Sequence, residues 1–558
     1  MNAHSGNFAE AVSSTARNVV VIAPPGCGKT ELLAMRAETL VQNLRPNQKI
    51  LALTFSNKAK ANLNSRLVKI LGAERKRRYV SVHNFHGHAA EIVRSHGRTL
   101  GIDPGFEMPD KRTQADAIDP YTDGLDDSSA AALRQRIEDE LREAKQRPNS
   151  DAQVISALGT TALEATQTIE AERQATGALY YDDLVRHAQR LLRVPEIAAL
   201  YRTHYGAILV DEFQDLSPQQ LDLALRSCDA SRTFVGDPLQ GIYSWTGARP
   251  VEVERALRRI CGEPLGLGLS YRSSPRVLDL LNAVSVGLGG QALQSNEPDE
   301  WFQGGIAAGF TFDTGVAEAT YIEELSRKIL NRQPNVTIGV ICRSGWRRKP
   351  IDARFAISDI PSTRWDLAVE DPRIVDLIND GVSRLGGSPS FDALKGDVIS
   401  RLDGTDVDTA AEITNALDQL VDLADQAGSI GAALSQLRLL DEGTETIAPG
   451  VHLLNAHTGK GQQFDWVFVP GFEEGNVPSV LAKRASELEE EHRVLLVMLS
   501  RARHGIVLTR AKSLISKRAK PYDTKPSRWA SEVRTGLIAD SNQLDEHVKA
   551  LPLIVGNT

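Results

Sequence analysis

Apolar positions fall into two rhythms along the chain. Residues 19–23 (VVVIA), 50–55 (ILALTF) and 79–82 (YVSV) are short continuous apolar runs, separated by stretches with helical spacing. Runs of this kind read as strands buried on both faces, and their alternation with helices predicts a parallel sheet covered on both sides. The rhythm stops near residue 92. Residues from about 113 to 200 carry a charged helical pattern, as in RQRIEDELREAKQR, and the strand rhythm resumes at AILVDEF (207–213) and RTFVGD (232–237). A helical block is thus expected inside the first sheet domain. A second sheet domain is expected from about 265, with strands in GVICRS (339–344), VHLLNA (451–456), WVFVPG (466–471) and GIVLT (505–509) around a helical stretch at about 355–445. The fold class expected is α/β, with two parallel-sheet domains that each carry a helical insertion.

Composition narrows the class without naming a function. The chain has 558 residues, too many for one ordinary core. It is 41% hydrophobic and 24% charged, the balance of a globular protein. Net charge is −8, which argues against indiscriminate coating of nucleic acid yet allows a local basic groove. The four cysteines (Cys27, Cys228, Cys261, Cys342) form no CxxC pair, so neither a zinc site nor a disulfide framework is expected. No signal peptide or membrane span is read from the sequence, and a cytoplasmic location is expected.

Chemistry enters at residues 23–30, APPGCGKT, between the strand VVVI and a helix. A glycine-bearing loop in that position, Pro25–Thr30, can wrap the backbone N–H groups of Gly26, Cys27, Gly28, Lys29 and Thr30 around phosphates. Lys29 would neutralise the β- and γ-phosphates and Thr30 would offer its hydroxyl to Mg²⁺. Ala23 stands where the strict pattern has glycine. The strand AILVDEF ends in two acids, where ligands gather in parallel sheets. Asp211 would hold Mg²⁺ through its water shell, and Glu212 would orient the attacking water as general base.

At VDEFQD the chain resembles a UvrD/Rep-like superfamily 1 DNA helicase, with motifs in the family's order from about residue 8 to 510. The resemblance implies two RecA-like P-loop NTPase domains that bind ATP and Mg²⁺. Their expected parts are 1–92 and 201–264 for the first, with 93–200 inserted, and 265–354 and 447–558 for the second, with a reduced insertion at 355–446. TFSNKA (54–59) implies contacts of Thr54, Phe55 and Asn57 with single-stranded DNA. HNFHG (83–87) implies the same for Phe85 and His86. VGDPLQGIYSW (235–245) implies that Gln240 reads the γ-phosphate and Trp245 stacks on DNA. In SYRSS (270–274), Tyr271 is expected on the nucleobase and Arg272 on the γ-phosphate. HTGKGQQFDWVFV (457–469) implies DNA contacts by His457 and Thr458 and nucleotide contacts by Lys460 and Gln463. EEEHRVLLVMLSRAR (489–503) supplies Arg501 as a second arginine finger, and Arg343 is also expected on DNA. YYDDL (180–184) resembles a short acidic motif closing the insertion.

For an isolated Phe or Trp, core burial is the usual fate, so only motif context assigns Phe55, Phe85 and Trp245 to stacking. The basic runs ERKRR (74–78) and WRRK (346–349) suit either a phosphate groove or a solvated surface. Three departures from the family fall on the base and sugar: Phe8 where relatives carry Gln, Glu31 where they often carry Arg, and Gln463 where they carry Glu. Thr246 also replaces a common Arg beside Trp245. The implied activity is ATP-driven 3′→5′ movement on single-stranded DNA or at a single-strand/duplex junction. The alternative is a DNA- or nucleotide-sensing NTPase subunit beside a nuclease, as in Gabija-type anti-phage systems, which the short second insertion favours. No nuclease motif is read after the last helicase motif, and the tail past 515 is expected to close the fold with helix and strand.

Overall fold

The computed structural model describes residues 6–108, 117–161, 163–243, 247–365, 447–516 and 520–552, with scattered residues between 367 and 439. The expected second insertion therefore lies mostly outside the described residues, as do Ser244, Trp245 and Thr246.

The first sheet holds six strands: β1 (Asn18–Ile22), β2 (Lys49–Thr54), β3 (Val80–Asn84), β4 (Tyr205–Val210), β5 (Ser231–Gly236) and β6 (Leu265–Gly266). Their order is β3-β2-β4-β5-β1-β6, parallel throughout. Each of β1, β2 and β4 is an apolar run because both faces are covered: Val19 and Val21 enter one core, Val20 the other. The described residues between 85 and 204 are mostly helical, the longest helix among them being Asp127–Ala144, and lead back to β4. In that block YYDDL is structural. Asp183 is fully buried and paired with Lys145 (3.1 Å), Arg173 (3.2 Å) and Arg186 (2.8 Å), an ionic knot that fastens the helices Glu164–Thr176 and Tyr181–Leu191 to the loop before Ser150.

The second sheet is built from β7 (Ile306–Thr314), β8 (Thr337–Cys342), β9 (Ser362–Arg364), β10 (Gly450–Asn455), β11 (Phe464–Val469), β12 (Ala502–Ile515) and β13 (Pro521–Asp523). Six run parallel in the order β9-β10-β8-β11-β12-β7, and β13 folds back antiparallel on the end of β12. Strand β7 was not anticipated: its later half alternates exposed and half-buried residues, and Gly309 interrupts the apolar run. Leu265–Gly266 pairs with β1, so the first sheet continues two residues past 264. One apolar core runs across both lobes, with Leu267, Leu281 and Leu496 among its members. No described helix is long and apolar enough to cross a membrane.

Candidate nucleotide and nucleic-acid sites

The loop after β1 adopts the conformation its glycines permit. Gly26 and Gly28 both have φ of +81°, a region other residues enter at a cost. At Gly26 a Cβ would also lie 2.6 Å from Ser270 Oγ and 2.7 Å from Arg272 Cβ, so only glycine lets the second lobe's leading segment come this close. The helix Lys29–Val41 then starts directly at the lysine. Its N-terminal N–H groups face the same space as the carboxyl ends of β4 and β5.

Lys29 Nζ lies 2.8 Å from Glu212 Oε2. Burial works against the lysine's charge, but Glu212, Asp211 and Asp237 outweigh it and raise its pKa. Burial likewise opposes Glu212, yet Lys29 and Lys460 hold its carboxyl down at about 2. Asp211 is pushed up to about 7, first by burial and then by the Glu212 charge beside it. The two acids are thereby split into a firmly ionised one and one that would gain from a cation. Glu212 sits at φ +53°, a left-handed conformation that costs a non-glycine residue about 1 kcal/mol and is tolerated where the surroundings enforce it.

From the other lobe come two guanidinium groups. Arg501 is 2% exposed and held by its own lobe, donating to the carbonyls of Val497 (2.9 Å) and Gln462 (3.3 Å) and to Ser500 Oγ (2.6 Å). Arg272 reaches the Ser500 carbonyl (3.4 Å), and its Nε is buried without a hydrogen-bond partner. Burial lowers Arg272 to about 10 and Arg501 to about 9, and the Arg272 charge adds to the effect on Arg501. Glu212 acts on both in the opposite direction. Two cations, Arg501 buried and Arg272 half-buried, facing a lysine and a glycine loop, are satisfied by a polyanion between them. The donor set therefore fits a triphosphate. Thr30 and Asp211 fit the sparse protein ligation of Mg²⁺, which keeps waters and phosphate oxygens as its other ligands; no group of three or more metal-ligating side chains occurs among the described residues.

Three residues expected around base and sugar have other neighbours. Phe8, on the helix Gly6–Ser13, is 2% exposed, and a Cβ on Gly28 would lie 3.7 Å from its ring. Glu31 pairs with Arg66 at 3.0 Å, and Gln463 is exposed. Tyr271 donates its backbone N–H to the Gly26 carbonyl, which keeps its ring next to the loop.

The nucleic-acid side is more divided. Phe55 is half-buried and stacks on Tyr243 (5.7 Å, 13° between planes), and Tyr243 in turn meets His457 at 6.3 Å. Lys460 caps the Tyr243 ring at 4.4 Å and binds both oxygens of Asp215 at 2.6 and 2.7 Å, bridging the lobes. Thr458 is half-buried beside them. Asn57 accepts from Asn84 (3.0 Å), and His86 meets the Tyr181 ring edge-on at 5.0 Å.

The stacking expected of Phe85 is corrected by its burial, and other expected positions have partners of their own. Phe85 is 1% exposed inside the core under the first sheet, so its ring is packing and not a stacking platform. Thr54 is fully buried and its hydroxyl donates to the Ser56 carbonyl. Arg343 is engaged two-pronged by Glu491. WRRK is no phosphate groove: Arg347 is buried between Glu318 and Glu473, and Arg348 binds Asp352 at 2.8 Å. In ERKRR, Arg75, Arg77 and Arg78 are exposed, on a helix leading into the N-terminal end of β3, away from the phosphate loop.

Two contributors escaped the sequence reading. Gln214, fully buried, donates to Glu212 Oε2 at 2.7 Å; its place inside VDEFQD was the available signal. Tyr243, inside GIYSW, joins Phe55 to the second lobe.

Fold and site together define a P-loop nucleotide hydrolase with its phosphate loop in one lobe and two arginines in the other. Residues 5–259 match the model of the UvrD/REP helicase N-terminal domain, and 402–513 that of the UvrD-like helicase C-terminal domain. The chain belongs to the UvrD/Rep-like superfamily 1 DNA helicases, ATP hydrolases with RecA-like domains. It is 24% identical to a probable DNA helicase II homolog of Mycoplasma capricolum, over 94% of this chain and 86% of that one. Identity to the ATP-dependent DNA helicase PcrA of Staphylococcus aureus (strain Mu50) is 24%, over 95% and 86%. With DNA helicase II of Escherichia coli K12 it is 29%, over 49% of this chain and 39% of the relative.

Proposed function

We propose that this protein hydrolyses ATP between its two lobes and uses the resulting opening and closing to move 3′→5′ along single-stranded DNA. The observation that carries the reading is the approach of Arg272, from the second lobe, to Gly26 of the phosphate loop that leads to the Glu212–Lys29 pair, with Arg501 beside it on Ser500. Phosphoryl transfer needs charge around the γ-phosphate more than it needs covalent chemistry. Lys29 and the loop N–H groups bind the phosphates, and Glu212 takes the proton of the attacking water. Arg272 and Arg501 stabilise the charge that develops in the transition state. Because that charge is split across a seam, hydrolysis is fast only when the lobes are together, and chemistry becomes linked to lobe position. Thr30 and Asp211 would hold Mg²⁺, which would supply charge neutralisation at the phosphates. Gln240 reads the γ-phosphate side from its place beside Asp237.

On the DNA side, Phe55, with Tyr243 behind it, offers a stacking face that does not read sequence. His457 and Thr458 supply the second lobe's contact, and Asn57 and His86 flank the first's. With Phe8 buried, Glu31 paired with Arg66 and Gln463 exposed, phosphate contacts outweigh base contacts, and ATP and GTP are expected to give comparable kcat/KM. Strict use of ATP at micromolar KM would overturn that part.

The test is NTPase activity with and without single-stranded DNA, beside a strand-displacement assay on substrates with a 3′ or a 5′ tail. DNA-stimulated hydrolysis with displacement from the 3′ tail is expected. Nucleotide-dependent DNA binding without movement would instead support the switch subunit of a nuclease complex. In Arg501→Ala, kcat should fall by about 100-fold or more with little change in KM; unchanged kcat would remove the second finger.

A further inference from the structure

A single 3₁₀ turn, Phe213–Asp215, follows the two acids that come directly after β4. Its middle residue, Gln214, is fully buried and uses both ends of its amide. Nε2 donates to Glu212 Oε2 at 2.7 Å, the oxygen that also receives Lys29. Oε1 accepts the backbone N–H of Asp237 at 2.9 Å. Asp237 opens the loop after β5, where its own carboxylate accepts from Leu239 N–H (3.1 Å) and from Gln240 Nε2 (2.9 Å). The far end of that loop touches the second lobe: Arg493, on the helix Ala485–Leu499, donates to the Gly241 carbonyl at 3.0 Å.

Local sequence makes room for this bridge. A Cβ at Gly236, the last residue of β5, would collide with Gln214 Oε1 and lie 2.7 Å from Phe213 Cδ1 and 2.9 Å from the Phe213 nitrogen. The Gly236 carbonyl also accepts from Ala23 N–H at 2.8 Å, where the phosphate loop begins. A buried amide fixed at both ends cannot rotate without losing a hydrogen bond that no water replaces. Movement of the 237–241 loop is therefore felt at the Glu212 carboxylate.

We propose that Gln214 is a positioning residue: it holds the Glu212 carboxylate in its working orientation and ties that orientation to the 237–241 loop, and through Arg493 to the second lobe. The inference rests on the reading of Glu212 as the base. Gln214 touches neither nucleotide nor water in this scheme; it acts through Glu212. Its loss should slow the chemical step while leaving nucleotide binding alone, since a misaimed base costs rate by up to about 100-fold.

The experiment uses the full-length chain with saturating single-stranded DNA. In Gln214→Met, which keeps the volume and removes both hydrogen bonds, kcat should fall at least about 10-fold with KM for ATP within about 2-fold. Gly236→Ala, which removes no polar group but displaces the amide, should lose kcat in the same way; thermal melts show that both variants are folded. Arg493→Ala should lower kcat in the wild-type background and add nothing in Gln214→Met, because the link it feeds is already cut. Wild-type kcat in a folded Gln214→Met, a rise in KM without loss of kcat, or multiplicative effects in the double variant would overturn the proposal. Glu212→Gln is the separate control: if it keeps hydrolysing ATP, the base assignment itself has failed. If it is inactive while Gln214→Met is normal, only the positioning role has.

Discussion

The phosphate side and the DNA side of this protein were read from motifs of similar length, and they fared differently. On the phosphate side Lys29, Asp211, Glu212, Arg272 and Arg501, drawn from four separate stretches of chain, meet at one seam. On the DNA side Phe55 is half-buried on Tyr243, but Phe85 and Thr54 lie in the interior and Arg343 is tied to Glu491. The phosphate loop is specified by backbone conformation, and glycine spacing between a strand and a helix dictates that locally. Whether an aromatic ring faces solvent depends on what the rest of the chain packs against it, and no short motif contains that information.

The largest expected effect strikes the phosphate side. Lys29→Ala removes the cation that faces Glu212, Asp211 and Asp237 and the β- and γ-phosphates. Hydrolysis should fall by about 1,000-fold or more, as loss of a central transition-state charge partner does. Retained DNA-stimulated turnover, measured by phosphate release, would break the phosphate half of the comparison.

Next in size is the difference between two phenylalanines. Phe85→Ala should cost about 3–5 kcal/mol of stability, the range for emptying a large core site. Phe55→Ala should leave the melting temperature nearly unchanged and weaken binding of single-stranded DNA by about 1–3 kcal/mol, the contribution of one stacked base. Denaturant melts and fluorescence anisotropy on both variants decide the matter. If Phe85→Ala were stable and defective only in DNA binding, the burial argument would be wrong.

The same division describes what the sequence could reveal. Apolar runs at 19–23, 50–55, 207–213, 232–237 and 451–456 each mark a strand because a parallel sheet buried on both faces needs a continuous apolar stretch. Strand β7 escaped because much of Ile306–Thr314 is not buried on both faces and so lacks that signature. Arg347 and Arg348 read as surface charge because sequence shows the cations and not Glu318, Glu473 and Asp352, which neutralise them from elsewhere in the fold. Gln214 escaped for the opposite reason: an amide has no charge or periodicity to betray it, and only the positions of Glu212 and Asp237 give it a task.

The smallest expected effect sharpens the DNA half of the comparison. His88 sits one turn past Phe85 on the helix Phe85–His96 and is fully buried. Ser227 Oγ already donates to the Leu223 carbonyl at 2.9 Å, so it accepts from His88 Nε2–H at 2.9 Å, and His88 Nδ1 is buried with no partner. Protonation at Nδ1 would create an unpaired buried cation. Burial, aided by His83, therefore holds the ring's pKa down to about 3 from an ordinary 6.5. The folded value is the lower one, so the unfolded chain takes up the proton first as pH falls. Stability from this group is complete above pH 6.5 and drains away between 6.5 and about 3. At pH 5.5 the loss is about 1.4 kcal/mol for this one residue. Glu212 behaves differently: with its carboxyl held at about 2, its share is lost only below the ordinary carboxylate range near 4.5. Urea melts at pH 7.5 and 5.5 should show His88→Gln losing about 1.4 kcal/mol less than wild type over that step. Equal losses would mean that the ring takes up its proton inside the fold, and that the helix carrying Phe85 is more open to water than its packing implies.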